Sequence, residues 1–331
     1  MNSTNTNIAR GYPIAILSAL VLSTTAILVR ILAANYQMPA LVLAFWRDVL
    51  AALSLALFFA FFRPTLFRIK PGHLPYLVAY GLLLAAFNAL WTHSVALNGA
   101  AISNVLVYCS TAFTALLGWW LLKERLTLVK ILAVLLCLTG SAFVSNAVNP
   151  AVWSSNWAGI TVGVLSGLGY AGYSLMGRSA TQRGLDSWTT LLYTFSFASL
   201  FLAVINLVPL HLPGAATQPA DFLWLQNQWS GWGVMLLLAA GPTVMGYGLY
   251  NLSMVYLPSS TANLIVTFEP AITVVTAYFL LGERMSLDQL GGGLMILAGV
   301  VAMRVFGERG KARADESQLP GAAEEQKIVR S

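Results

Sequence analysis

Long apolar runs separated by short polar punctuation recur from one end of this chain to the other. Each run is close to twenty residues, enough to cross about 30 Å of hydrocarbon as a helix. The pattern predicts ten spans, at roughly residues 11–33, 39–62, 74–97, 101–121, 127–146, 157–179, 187–208, 231–256, 259–281 and 286–306. Polar stretches mark a short N-terminus (1–10), a connector between the fifth and sixth spans (147–156) and a tail (307–331) that mixes charge, Gly and Pro without periodicity. Such a tail is expected to be disordered. The class expected is an all-α polytopic membrane protein.

The pattern also repeats. Residues 89–140 lie without a gap over 248–299, every position shifted by 159, and 14 of the 52 pairs are identical. Shared leucines in two apolar helices say little. Matched Ser94/Ser253, Asn104/Asn263, Glu124/Glu283, Arg125/Arg284 and Gly140/Gly299 say more. A weaker match at a shift of 148 pairs Ser18 with Ser166 and Arg30 with Arg178. The chain therefore reads as a first five-helix repeat over 11–146 and a second over 157–306. Five is odd, so the second copy is expected to enter the membrane inverted. Inverted repeats place a substrate site near the midplane between them.

Composition sharpens this. Hydrophobic residues make up 58% of the 331 and charged ones 9%, too few to cover the surface of a soluble protein of this size. The net charge of +6 would suit nucleic acid, but the basic residues gather at span ends and in the tail. Arg10, Arg63, Arg68, Lys70, Lys123, Lys130 and Arg183 fall on one side and Arg284 on the other, which predicts that both termini are cytoplasmic. Trp153, Trp157, Trp224, Trp229 and Trp232 border two connectors on the opposite side, as an interfacial belt would. Cys109 and Cys137 lie inside spans, so no disulfide framework is indicated. The first apolar segment has no convincing processing site, and no cleaved signal is expected.

The turns LLKERLT and LLGERMS, the Phe-Glu-Pro at 268–270 and the LLGE at 280–283 resemble the drug/metabolite transporter superfamily, and within it the EamA-type exporters. With FWRDVLAAL at 45–53 and the many aromatics in spans, the chain is most similar to the bacterial YddG-type exporters of aromatic amino acids and methionine. The resemblance implies ten helices in an inverted five-plus-five arrangement around a central cavity. It also implies amino-acid efflux across the bacterial inner membrane. One departure stands out: the first copy has Ser110-Thr111 where the second has Glu269-Pro270.

Ionisable groups inside spans are the candidates for function, because each costs about 2.5–3.5 kcal/mol at a helix centre on insertion scales. Glu269 sits mid-span before Pro270, which lacks an N–H and frees the carbonyl of Val266. That predicts a kink, and Glu269 either senses a substrate ammonium or proton as a gate or pins the kinked helix. Arg47 and Asp48 are helix neighbours about 100° apart and are not expected to pair. Arg47 is the one expected to face the cavity and meet a carboxylate, unless both groups are fixed to neighbouring helices. Arg30 is expected to anchor at the interface. His93 suits either proton coupling or a structural hydrogen bond.

Rings and amides form a second group: Trp46, Trp91, Tyr108, Tyr173, Tyr247 and Tyr250, with Asn88, Asn104 and Asn263. An apolar cavity lined by rings and a few polar groups suits a flat amphipathic molecule. The glycines of GVLSGLGYAG (163–172) and Gly291–Gly293 suit close helix contact or hinging. No phosphate-binding loop, HExxH or CxxC pair is present, so ATP hydrolysis by this chain, a metal site and any cofactor are not expected. The partners implied are the lipid bilayer and a small molecule, not nucleic acid. The expected activity is alternating-access export of amino acids (aromatic ones first, then methionine or threonine); the alternatives are export of other metabolites or drugs, a membrane-embedded enzyme built on Ser110 and His93, or a non-transporting subunit.

Overall fold

A computed structural model describes residues 3–122, 128–207, 212–257, 262 and 265–316, and among them every regular element is helical. The first half runs α1 (Ser3–Asn35), α2 (Ala40–Phe62), α3 (Leu74–Asn98), α4 (Ala100–Val107), α5 (Ser110–Leu122) and α6 (Leu128–Val144). The second runs α7 (Pro150–Gln182), α8 (Ser187–Leu207), α9 (Trp229–Leu238), α10 (Tyr247–Tyr256), α11 (Glu269–Leu281) and α12 (Leu287–Glu316). Each of the ten expected spans overlies a helix. Six are long and apolar enough to cross a membrane among the described residues; the apolar stretches of α6, α11 and α12 are shorter. Leu57, Leu200, Val204, Leu237 and Val255 lie within helices and are each more than half exposed, a surface that suits lipid and not water.

Three boundaries differ from the sequence pattern. The connector at 147–156 is largely helical: α7 begins at Pro150 and carries its only non-helical residue at Asn156, whose amide donates to Asn98 Oδ1 at 3.0 Å. The last helix continues to Glu316, ten residues past the apolar run, because the Glu, Arg, Lys and Ala that follow favour helix. Residues 317–331 lie outside the described residues. Third, the spans at 101–121 and 259–281 are not single helices. The first is interrupted at Tyr108–Cys109, the second at Thr267–Phe268.

The helices interlock across the two halves. The first helix of each half packs on the other: α1 runs against α10 and α11, and α7 against α3, α4 and α5. The most extensive pairing joins α6 to α12. There the backbones touch at glycine, since a Cβ on Gly140 would lie 2.6 Å from the Gly292 carbonyl oxygen, and one on Gly292 would lie 2.6 Å from that of Gly140. Apolar packing gains little against lipid, so such close backbone approach supplies the contact energy instead.

One end of the bundle is laced by side chains. Gly99 separates α3 from α4 at φ 86°, and its missing Cβ leaves room for Glu283, whose Oε1 would otherwise lie 2.7 Å away. That carboxylate accepts the first two N–H groups of α4, Ala100 and Ala101, at 2.9 Å each. Arg30 Nε lies 3.4 Å from Glu283 and its Nη1 donates to the Ala96 carbonyl at 2.9 Å. Arg30 therefore ties α1 to the start of α4 and is not a free interfacial anchor. The connector of residues 212–228 packs over the same end, with the Leu41 N–H donating to Gly214 O at 2.8 Å. Within it, hydrogen bonds from the Thr217 side chain and from the Gln218 and Thr217 N–H groups hold the Asp221 carboxyl below its ordinary range.

Candidate functional site

A helix break inside a membrane frees backbone groups that lipid cannot satisfy, so it is tolerated where it lines a cavity or is buried in protein. Both breaks do so here. Between them lies a cavity of about 220 Å³, with Tyr108, Ser110 and Thr111 on one side and Val266, Thr267 and Glu269 on the other. Tyr108/Thr267 and Ser110/Glu269 are repeat-equivalent, each 159 residues apart. The volume is below the roughly 300–1,000 Å³ of drug-sized sites, which suits a small ligand bearing a single ring system.

The second break differs from the expected kink. Pro270 does not bend a continuous helix. It sits in the first turn of α11, where a missing N–H would be unpaired anyway, and Phe268 closes the turn before it with an N–H to Ile265 O of 3.1 Å. Glu269 is the first residue of that helix, half-buried. Its Oε2 accepts the Tyr108 hydroxyl at 3.1 Å and its Oε1 the Asn104 amide at 3.4 Å. Asn104 also donates to Thr273 Oγ1 at 2.8 Å, and that hydroxyl donates to Ser23 O of α1 or to Glu269 O, each at 3.1 Å. A chain of neutral donors thus holds the carboxylate at the point where the two halves meet.

A third irregularity borders the cavity. The helix from Trp229 onward winds as a π-helix from Ala239 to Gly246, around Pro242. The wider turn accommodates the absent N–H and lets Thr243 Oγ1 donate to the Leu238 carbonyl five residues back at 3.2 Å. Pro242 and Thr243 line the cavity, and the α-helix that resumes presents Tyr247 and Tyr250 to it.

Opposite stand Arg47 and Asp48. Arg47 lines the cavity and its guanidinium lies over the Trp91 ring, 5.4 Å from the centroid. Contrary to the sequence expectation, the two pair: Arg47 Nε is 3.4 Å from Asp48 Oδ1. A 100° separation bars two short side chains from meeting, but arginine is long enough to fold back along its own helix. Asp48 is fully buried behind it and receives Asn88 Nδ2 at 2.8 Å on both oxygens.

Of the other residues singled out in the sequence, Asn88, Trp91, Asn104, Tyr108, Tyr173, Tyr247 and Tyr250 all line this cavity. Trp46 does not. Its indole N–H donates to Phe222 O at 2.5 Å and its ring meets Trp232 edge-on at 4.9 Å, so it clamps the 212–228 connector. His93 also lies outside the lining: its Nδ1 is 3.3 Å from Ala89 O, and the connector passes at Gly214. No hydrogen bond joins Ser110 to His93 among the described residues. Asn263 lies outside the described residues.

The lining also includes residues that the sequence reading passed over. Leu22 and Thr25 come from α1, Phe87 from α3, Tyr170 from α7 and Phe195 from α8. Phe87, Tyr170 and Tyr173 form a mutually contacting wall with centroids 5.3–6.3 Å apart. Phe195 carried a usable signal, since a shift of 148 places it at the position of Arg47.

Comparison with known proteins adds the following. The sequence profile described as the EamA-like transporter family matches residues 9–146 and again 157–305, leaving 147–156 between the two matches. An uncharacterized transporter of Archaeoglobus fulgidus is 27% identical over 256 residues, 77% of this chain and 86% of that one. The threonine/homoserine exporter RhtA of Salmonella typhimurium is 28% identical over 249 residues, 75% of each chain. A solved crystal structure superimposes over 90% of this chain and 98% of its own with a TM-score of 0.57 at 14% identity, a likeness of fold alone.

Proposed function

From the premise that this chain belongs to the EamA-like transporter family, we propose that it is an alternating-access exporter of small amphipathic metabolites, amino acids foremost. The observation that carries this reading is the cavity. It is small, lies where two broken helices of opposite halves meet, and offers one guanidinium and one carboxylate among rings. In the proposed complex the rings hold the side chain of the substrate, Arg47 faces its carboxylate and Glu269 its ammonium. A threonine/homoserine exporter among the relatives supports an amino acid as cargo. The ring-rich lining supports a flat or thioether side chain, as in aromatic amino acids and methionine.

The architecture proposed is two inverted five-helix repeats, 11–146 and 157–306, in a bacterial inner membrane with both termini cytoplasmic. The α6–α12 contact supports it. Cys137 Sγ approaches Ile296 O at 3.9 Å, and 137 and 296 are the same repeat position. Gly140 meets Gly292 on one side of that point, and Gly299 meets Ala133 on the other, which is the same pair with the copies exchanged. A twofold relation between the halves produces such reciprocal contacts. With that symmetry, rocking one half against the other exposes the cavity to each side in turn.

The test is flux of labelled tryptophan, phenylalanine, methionine and threonine in proteoliposomes, with and without a proton gradient, for wild type and Glu269→Gln. Saturable flux of any of the four is the expected result. Gradient dependence lost in the variant assigns coupling to Glu269. Absence of flux from folded protein overturns the amino-acid reading.

A further inference from the structure

The charges around the cavity are not balanced. Arg47 is the basic residue of its lining, and its charge is already met by Asp48 at 3.4 Å. Asp48 is fully buried and held from the other side by Asn88. The pair is a closed unit whose fields largely cancel at the distance of a ligand. A ligand carboxylate arriving at Arg47 must share the guanidinium with an anion that cannot leave.

Glu269 is differently placed. Its partners, Tyr108 and Asn104, are neutral. Among the described residues no Lys, Arg or His lies within 4.0 Å of its carboxylate. The rings of Phe87, Tyr170, Tyr173 and Tyr247 line the same cavity, and a cation that meets the face of one meets the negative side of its quadrupole. Carboxylate and rings both attract a cation, and such attraction strengthens when water is excluded. The Arg47–Asp48 pair contributes no net charge. The cavity with Glu269 ionised therefore carries one uncompensated negative charge.

We propose that the cavity recognises the ammonium of its ligand at Glu269 and does not require the carboxylate, so that it also binds aromatic primary amines that lack one. The proposal rests on the transporter reading and deepens it by naming the recognised group. Its ligand class is a protonated amine on a short chain bearing a single ring system. Tryptamine and phenethylamine represent it, whereas indole-3-propionate, with the ring and the carboxylate but no amine, represents its inverse.

The experiment uses full-length purified protein, with thermal stabilisation and competition read for tryptophan, tryptamine and indole-3-propionate. Any ligand that binds the folded form stabilises it by RT ln(1 + L/Kd), with L the free ligand concentration, so at equal concentration the rise in melting point ranks the affinities. Tryptamine is expected to bind within about tenfold of tryptophan and indole-3-propionate at least about tenfold more weakly than tryptamine, a gap near 1.4 kcal/mol. Glu269→Gln is expected to weaken tryptamine by about tenfold or more while Glu269→Asp, which keeps the charge, recovers part of the binding. The melting point of each variant without ligand separates loss of binding from loss of fold. Tryptophan binding without tryptamine binding overturns the amine proposal and leaves amino-acid transport standing. Tryptamine binding without any amino acid does the reverse. Equal binding of indole-3-propionate, or tryptamine binding unchanged in Glu269→Gln, overturns the proposal, and binding of none of the three to folded protein overturns both.

Discussion

The two helix breaks at the centre of this molecule occupy the same position in each repeat and share a geometry, yet they are made of different residues. In the second half the turn at Thr267–Phe268 precedes Glu269-Pro270. In the first, the turn at Tyr108–Cys109 precedes Ser110-Thr111, with no proline at all. The first break is closed by N–H groups of Tyr108, Cys109 and Thr111 donating to the carbonyls of Val105, Leu106 and Tyr108 at 3.0–3.1 Å, three-residue spacings that tighten the turn. The difference teaches that the break belongs to the repeat, while the chemistry at it belongs to one copy. The charges divide in the same way. The first copy supplies Arg47 where the second has Phe195, and the second supplies Glu269 where the first has Ser110.

The sharpest way to break this comparison is to move the charge. Glu269→Gln is expected to lower transport by about 100-fold, the loss of roughly 2.7 kcal/mol of stabilisation along the cycle. Adding Ser110→Glu to that variant is expected not to restore it, because the Asn104 and Tyr108 donors are directed to position 269. Flux in proteoliposomes decides. Recovery to within a few-fold of wild type would make the two breaks interchangeable and the asymmetry incidental.

The opposite charge is tested through stability and not through flux. Arg47→Met leaves Asp48 buried beside Asn88 without its cation, and removing one partner of a buried pair costs about 3–5 kcal/mol. The added change Asp48→Asn is expected to return most of that stability in thermal melts, since no uncompensated charge remains. A stable Arg47→Met protein would mean that Asp48 is held by Asn88 alone, and that Arg47 is free for a ligand.

How much of this was legible in the sequence depends on whether the property is carried by one segment or by several. The repeat, the span positions and part of the cavity lining follow from a pattern within single helices, so Trp91, Asn104, Tyr108 and Glu269 could be picked out. Side-chain reach could not. Arg47 folds back onto its neighbour, and Trp46 and His93 turn to a connector that the sequence leaves floating. The break at Tyr108 has no proline to announce it. The π-helix around Pro242 was hidden for the converse reason: a proline in a span reads as a kink, and the wider turn that absorbs it depends on the neighbours. Tyr170 and Phe87 meet only once α7 is laid against α3.

A smaller effect is expected at the far end of α4. Glu283, from the second copy, accepts the N–H groups of Ala100 and Ala101 and so anchors the half-helix of the first. Glu283→Gln can accept only one of them, and the other buried donor left unmet costs about 1–3 kcal/mol, lowered further toward the small end by the partial exposure of the Arg30 pair. Melting is the measurement. A lower melting point with flux intact would make this contact an anchor that holds the first break in place; unchanged melting would mean that α4 needs no partner from the other copy.

The smallest expected effect falls on the residue that most catches the eye. If proline made the second break, replacing it would let α11 extend backward and swing Glu269 off the cavity. The first break argues otherwise, because the same turn forms there with Thr111 at that position. Pro270 stands in the first turn of α11, where its absent N–H has no helical partner to lose. Pro270→Ala should therefore keep the break, altering stability by about 0.4–1 kcal/mol through the freer unfolded chain. Transport should stay within about threefold of wild type, a change of less than one kcal/mol in barrier. Melting and flux measured on one preparation test both halves of the statement. A fall of tenfold or more in flux without a matching loss of stability would show that the proline holds Glu269 in place, and the likeness of the two breaks would then be one of position without a common cause.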